Sequence, residues 1–189
     1  MKEFFVPAVV TPDPDANASD LLVDRVRLTP NGALFALPTA DGGWSDVTAA
    51  EFHRQVKALA KGFIAAGVQP GEKIGFMCKT RYEWTLVDFA TWFAGAVLVP
   101  IYETSSPSQV QYILDDSEAH HMIVETADHF ARYDEVAGDL PHIGHLWQMH
   151  LGDLEKLAST GEGVTDEELE ARRTIAKGSD LATLIYTSG

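Results

Sequence analysis

Ile74-Gly-Phe-Met-Cys78 and Val97-Leu-Val-Pro100, with Thr80 to Phe93 between them, decide how this chain folds. The outer runs are short, apolar and bounded by turn residues, which is the pattern of strands buried on both faces. The stretch between them opens on Thr80-x-x-Glu83, a capping pattern, and then carries Trp84, Val87, Phe89 and Phe93 as the apolar residues of a helix. A strand, a helix and a second strand at this spacing make a βαβ unit, whose strands lie parallel.

The same alternation continues outward in both directions. Further strand-like runs begin at His121 (His-Met-Ile-Val124) and His145 (His-Leu-Trp-Gln-Met149), evenly spaced after Ile74 and Val97, and a fifth is Leu181-Ala-Thr-Leu-Ile-Tyr186. One helix starts at Ser106, with Pro107 at the first helical position and Gln109 closing a capping box; another follows Thr126. Between His150 and Ser179 the order loosens. There Glu155 to Thr160 and Thr165 to Arg173 read as short helices, the second acidic and solvated behind its own Thr165-x-x-Glu168. Upstream, Thr48-Ala-Ala-Glu51 is a capping box with Val47 and Phe52 as a hydrophobic staple. Its helix carries Phe52, Val56, Leu59, Ala60, Phe63 and Ile64 as one stripe and ends at Gly67. Leu34 to Leu37 and Trp44 to Val47 flank a Gly-rich connection and predict a hairpin. The chain therefore divides into an extended arm (1–20, with Pro7, Pro12 and Pro14), a β-hairpin region (21–47) and a βα-repeat portion (48–189). The fold class is α/β, a mostly parallel sheet with helices on both faces and an N-terminal β-hairpin.

Composition narrows what such a fold could do. With 189 residues, 46% of them hydrophobic, the chain can bury a real core. Its net charge of −14 argues against a nucleic-acid partner, which needs clustered Lys and Arg. It does not exclude ATP, which a few local groups can bind. Cys78 is the only cysteine, so no intrachain disulfide forms and a reducing cytoplasm fits. The N-terminus lacks the apolar centre of a signal peptide, and no apolar run approaches the ~20 residues of a membrane span.

In open parallel sheets ligands lie beyond the carboxyl ends of the strands. Three segments follow strands there: Lys79-Thr-Arg81, Ile101-Tyr-Glu-Thr-Ser-Ser106 and Thr187-Ser-Gly189. The first could meet an anion at a helix N-terminus, or simply cap that helix with its cations solvated. The second is a polar run with three hydroxyls on the ligand side of the sheet, or a turn plus an N-cap. The third offers two hydroxyls and a glycine, the makings of a loop that cradles phosphate, or an ordinary polar turn. The seven histidines lack the spacing of a zinc site and read as solvated or core-edge groups; Cys78 reads as a packed thiol rather than a nucleophile.

Three passages together resemble the N-terminal part of the adenylate-forming (AMP-binding) superfamily, of the long-chain fatty-acid–CoA ligase type. They are Gly67-Val-Gln-Pro-Gly-Glu-Lys-Ile74, Arg81-Tyr-Glu-Trp84 continuing from Phe89 through Pro100-Ile-Tyr-Glu-Thr-Ser-Ser-Pro107, and Asp180-Leu-Ala-Thr-Leu-Ile-Tyr-Thr-Ser-Gly189. The resemblance spans roughly residues 44–189. It implies an incomplete N-terminal portion of the adenylate-forming fold. It also implies that Thr187, Ser188 and Gly189 open the family's ATP phosphate-binding loop. The parent reaction it implies joins a fatty acid, Mg2+-bound ATP and CoA through an acyl-adenylate. No catalytic residue and no metal ligand is expected within these 189 residues; the chain is expected to be a fragment that is inactive alone. It is also expected to self-associate, to be cytoplasmic, and to meet membranes peripherally if at all. Two other readings stay open: another adenylate-forming enzyme, such as a fatty acyl-AMP ligase or a carboxylic acid reductase adenylation domain, and a naturally short, non-catalytic interaction module.

Overall fold

A computed structural model describes residues 5–7, 9–11 and 13–187. Local signals explain most of its elements. Ser106 accepts from the Gln109 backbone N–H, and the Gln109 side chain accepts in return from the Ser106 N–H, so helix α4 (Pro107–Asp116) opens on the expected box. Helix α2 (Ala49–Ala65) starts at Thr48, whose hydroxyl accepts from the Glu51 N–H. It ends at Gly67, with φ of +95°, where the Val68 N–H reaches Phe63 O and the Gly67 N–H reaches Ile64 O. This left-handed turn closes the last orphan carbonyls of the helix, and glycine adopts it without a Cβ penalty. Strands β1 (Ala33–Pro38) and β2 (Trp44–Thr48) form the expected antiparallel hairpin. Helix α1 (Asp20–Leu28) precedes it, inside the span read from sequence as hairpin only.

The main sheet contains β3 (Lys73–Met77), β4 (Val97–Ile101), β5 (Ala119–Val124) and β6 (His145–Gln148), all parallel, in the order β4-β3-β5-β6. Successive strand residues point to opposite faces, and both faces are covered. Ile74, Phe76, Leu98, Ile123 and Trp147 pack beneath α2 and helix α3 (Tyr82–Phe93). Met77, Val99, Met122 and Val124 pack on the other face beneath α4 and helix α5 (Ala127–Asp134). Helices α6 (Asp153–Thr160) and α7 (Asp166–Arg173) close the first layer.

Three local expectations are corrected. Thr80 does not cap α3. The N-cap position is Arg81, and the Glu83 carboxylate that would have completed the box is held by the Arg81 guanidinium at 2.6 and 3.0 Å. Helix α7 is not simply solvated: Leu169 and Arg173 are buried, and Arg173 Nη1 donates to Ser19 Oγ at 2.9 Å and to Asp20 at 2.5 Å. Finally, Leu181 to Tyr186 is not a full strand. It runs parallel to the outer edge of β4 but bridges it only at Thr183, opposite Leu98. The Leu98 N–H donates to Ala182 O and the Leu184 N–H to Leu98 O. The next donor along β4 on that edge would be residue 100, a proline without an N–H, so the ladder stops.

Candidate functional site

The βα connections set where a ligand can enter. The chain leaves β3 through α3 toward β4 on one face, then returns through α4 to β5 on the other, passing β3. Connections from β3 and β5 thus depart in opposite directions, which opens a crevice at their carboxyl ends. Two clefts lie at the carboxyl ends of the strands, the first between β3 and β4 and the second between β3 and β5. One, of about 270 Å³, lies among Cys78, Thr80, Trp84, Tyr102, Glu103 and Tyr186. The other, of about 280 Å³, is lined by Arg81, Glu83, Glu125, Thr126, His150 and Glu155. The loop from Cys78 to Arg81 contributes to both.

Two of the polar segments singled out by sequence line the first cleft, and the residues just before the third line it with them. Thr80 comes from one, Ile101 to Glu103 from the second, and Ile185 and Tyr186 lead to the third. Thr187 follows them, exposed; Ser188 and Gly189 lie outside the described residues. The hydroxyl run after β4 is mostly structural. Ser105 is buried, Ser106 caps α4, and Arg132 Nη1 donates to Glu103 O at 2.6 Å and to Ser105 O at 3.3 Å. Arg81 is not available to an anion, because Glu83 and Glu125 both hold its guanidinium.

Two carboxylates of this region escaped the reading of the sequence. Glu125, the residue after β5, accepts from the Lys79 N–H at 2.8 Å and from Arg81 Nη1 at 3.0 Å. Burial pushes its carboxyl up, but these two donors outweigh burial and hold it below the usual carboxylate range. Its place at the carboxyl end of a strand was a signal in the sequence. Asp88 is hidden inside the apolar run of α3, 8% exposed, with Oδ1 unpartnered among the described residues. Burial alone raises its pKa from 3.8 to about 7. The Cys78 thiol is also buried and pushed up to about 12, first by burial and then by the charge of Glu125, so it is a packed group and not a nucleophile. His121 is buried beside Glu72, with Nε2 3.0 Å from Oε2, and stacks with His145 and Trp147. Burial pulls its pKa down against the pull of Glu72.

Comparison with known proteins agrees with this architecture. The model of the AMP-binding enzyme family matches residues 24–189. A long-chain-fatty-acid–CoA ligase, FadD15, of Mycobacterium bovis is 40% identical over the whole chain. A long-chain-fatty-acid–CoA ligase, ACSBG2, of Xenopus laevis is 27% identical over 84% of it. The chain spans 32% of the first relative's length and 23% of the second's. Among solved structures, a long-chain-fatty-acid-CoA ligase (FadD1) from Archaeoglobus fulgidus superposes on 98% of the chain with a TM-score of 0.74 at 17% identity, a likeness of fold. It is covered over 36% of its own length. With a family match that takes in the hairpin's two strands, the whole parallel sheet and the segment leading to Thr187, the chain belongs to the AMP-binding enzyme family.

Proposed function

We propose that this chain is the opening part of a long-chain fatty-acid–CoA ligase, and that Thr187, Ser188 and Gly189 begin the loop that holds the phosphates of ATP. The observation that supports the reading is that two of the polar segments, through Thr80 and Ile101 to Glu103, line one cleft at the carboxyl ends of β3 and β4 together with Ile185 and Tyr186, the residues just before Thr187. The 40% identity to a ligase of that name supports the substrate class. In the reaction a fatty carboxylate oxygen attacks the α-phosphorus of ATP and pyrophosphate departs. The thiol of CoA then attacks the acyl carbon, AMP leaves, and the thiol proton passes to a base. The part taken by this chain is to present hydroxyls and backbone N–H groups to the phosphate oxygens, where charge builds on the departing pyrophosphate. Among the described residues no group of three or more His, Cys, Asp or Glu is arranged to hold a metal ion.

The catalytic groups belong to sequence outside residues 1–189. ATP–pyrophosphate exchange with a long-chain fatty acid is expected to be absent from the 189-residue chain and present in a full-length protein that contains it. Exchange by the chain alone would overturn the placement of catalysis. A full-length protein without exchange would overturn the ligase reading itself. A cytoplasmic location and peripheral contact with lipid surfaces belong to the same reading; among the described residues no helix is long and apolar enough to cross a membrane. Self-association belongs to it as well, supported by the exposure of Leu181 and Ile185 along the outer edge of β4. A monodisperse monomer in sedimentation at high concentration would count against it.

A further inference from the structure

We propose that Glu125 is a positioning residue of the cleft: it holds the loop from Cys78 to Arg81 as the cleft wall that lies with Tyr186. The proposal rests on the reading of that cleft as the phosphate side of an adenylate-forming site. Glu125 is itself firmly placed. Its N–H donates to Met77 O at 3.0 Å, its carbonyl accepts from the His150 N–H at 3.1 Å, and the residue is 8% exposed. From there the carboxylate reaches across the end of the neighbouring strand β3. It takes the Lys79 N–H on one oxygen and Arg81 Nη1 on the other, so both of its strong partners belong to a single loop.

A carboxylate this buried is costly unless donors satisfy it, and removing either side leaves the other uncompensated. The loop therefore has one low-energy position while Glu125 is ionised, as its lowered pKa keeps it near neutral pH. Apart from these bonds, the polar ties of the loop are short-range ones, from the Cys78 thiol to Lys79 O at 3.2 Å and from Arg81 to Glu83. Thr80, at the centre of the loop, is exposed and lines the cleft, and among the described residues its hydroxyl has no partner. A hydroxyl there helps to bind a phosphate only if the loop is fixed, because a misplacement of about 1 Å can cost ~10²-fold in rate. Glu125 touches neither substrate nor reacting atoms. It acts through the backbone of Lys79 and the side chain of Arg81.

The test uses a full-length ligase that carries this chain, with Glu125→Gln and Glu125→Ala. Glutamine keeps an acceptor for the Lys79 N–H but drops the charge that pairs with Arg81; alanine drops both. Two readouts are taken: KM for ATP and kcat in pyrophosphate exchange at saturating fatty acid, and the native-state labelling rate of Cys78, followed by mass spectrometry. Cys78 lies at the base of the loop and is 5% exposed; the charge of Glu125 also raises its thiol pKa, and both variants remove that charge, so the excess of alanine over glutamine labelling reports opening of the loop. For alanine the expected result is roughly tenfold faster labelling and a roughly tenfold higher KM for ATP, a change of about 1.4 kcal/mol, with kcat within about twofold. Glutamine should fall between alanine and the parent. Unchanged labelling and unchanged KM in both variants would overturn the proposal. So would a fall in kcat at constant KM, since that is the mark of a group acting on the reacting atoms. If alanine unfolds the protein, the glutamine variant decides by its KM and kcat. A parent protein without exchange activity sinks the ligase reading, and the labelling rates then still decide whether Glu125 holds the loop.

Discussion

Asp88→Asn is expected to become more stabilising, relative to the parent chain, as pH rises from 4 to 7, and then to hold a constant advantage above pH 7. Asp88 lies on the α3 row Trp84, Asp88, Trp92. Trp92 Nε1 donates to Ala182 O at 2.9 Å, and Trp84 lines the cleft beside Ile185, so the row runs under the segment that borders β4. Leu184 and Tyr186 pack toward the opposite face, which turns Thr183 and Ile185 toward α3 by strand alternation. The carboxyl is buried, 8% exposed and without a partner for Oδ1 among the described residues. Enclosure disfavours the charged form and moves the pKa from 3.8 to about 7. A carboxyl whose folded pKa lies above its unfolded value binds more protons when folded. Its contribution to stability is therefore complete below pH 4 and lost as pH rises to 7. At about 1.4 kcal/mol per unit, the difference between variant and parent should swing by up to about 4 kcal/mol across that window. The asparagine amide leaves unpaired atoms of its own, so the net gain at pH 8 is smaller, about 1–3 kcal/mol. Urea denaturation of both chains from pH 4 to pH 8 measures the swing. A difference that does not vary with pH would mean that Asp88 is ionised and satisfied in the native state.

The second large effect is expected from Gly62→Ala, which should destabilise the fold by about 3 kcal/mol. Helix propensity alone predicts the reverse, because alanine inside a helix is favoured over glycine by ~1 kcal/mol. Packing decides the sign. A Cβ on Gly62 would lie 2.6 Å from the backbone carbonyl carbon of Leu157 and closer still to its oxygen. Across the same crossing, a Cβ on Gly161 would lie 2.6 Å from the Gly62 nitrogen. The obstacle in both cases is backbone, which cannot rotate aside as a side-chain tip would. Helix α2 must then part from α6 and from the turn at Gly161, loosening Leu157 and its neighbours in the larger apolar core. A midpoint shift to lower urea is the expected measurement, and a variant as stable as the parent would show that this crossing is loose.

Glycine 62 and Asp88 mark where reading the sequence stopped. On the sequence, Gly62 is a flaw in a good helix and Asp88 an acid in the middle of an apolar one. Both owe their importance to residues far along the chain. The site divides in the same way. Thr80, Ile101 to Glu103 and Thr187 were each found from their position after a strand-like run. That Thr80 and Ile101 to Glu103 line one cleft with Tyr186, the residue before Thr187, that Arg81 is taken up by carboxylates, and that Glu125 ties the loop cannot be read from any of the runs alone.

What the sequence determined by itself is local in range: the hairpin, the α4 capping box, the glycine stop after α2, the βα alternation, and through its motifs the family. The capping box, the glycine stop and each single helix or strand rest on residues within about four positions of one another, where backbone hydrogen bonds and side-chain periodicity act; the hairpin, the alternation and the family follow from the order of such runs along the chain. Only the tertiary structure decided the strand order β4-β3-β5-β6, the single bridge at Thr183 and the Glu125 clamp, whose bonds span 44 and 46 residues. These depend on which surfaces meet once each element has buried its apolar face. The ladder between β4 and the segment before Thr187 shows both kinds of cause at once: Pro100 carried the missing donor in plain view, but only the parallel pairing with Leu98 showed which rung it would break.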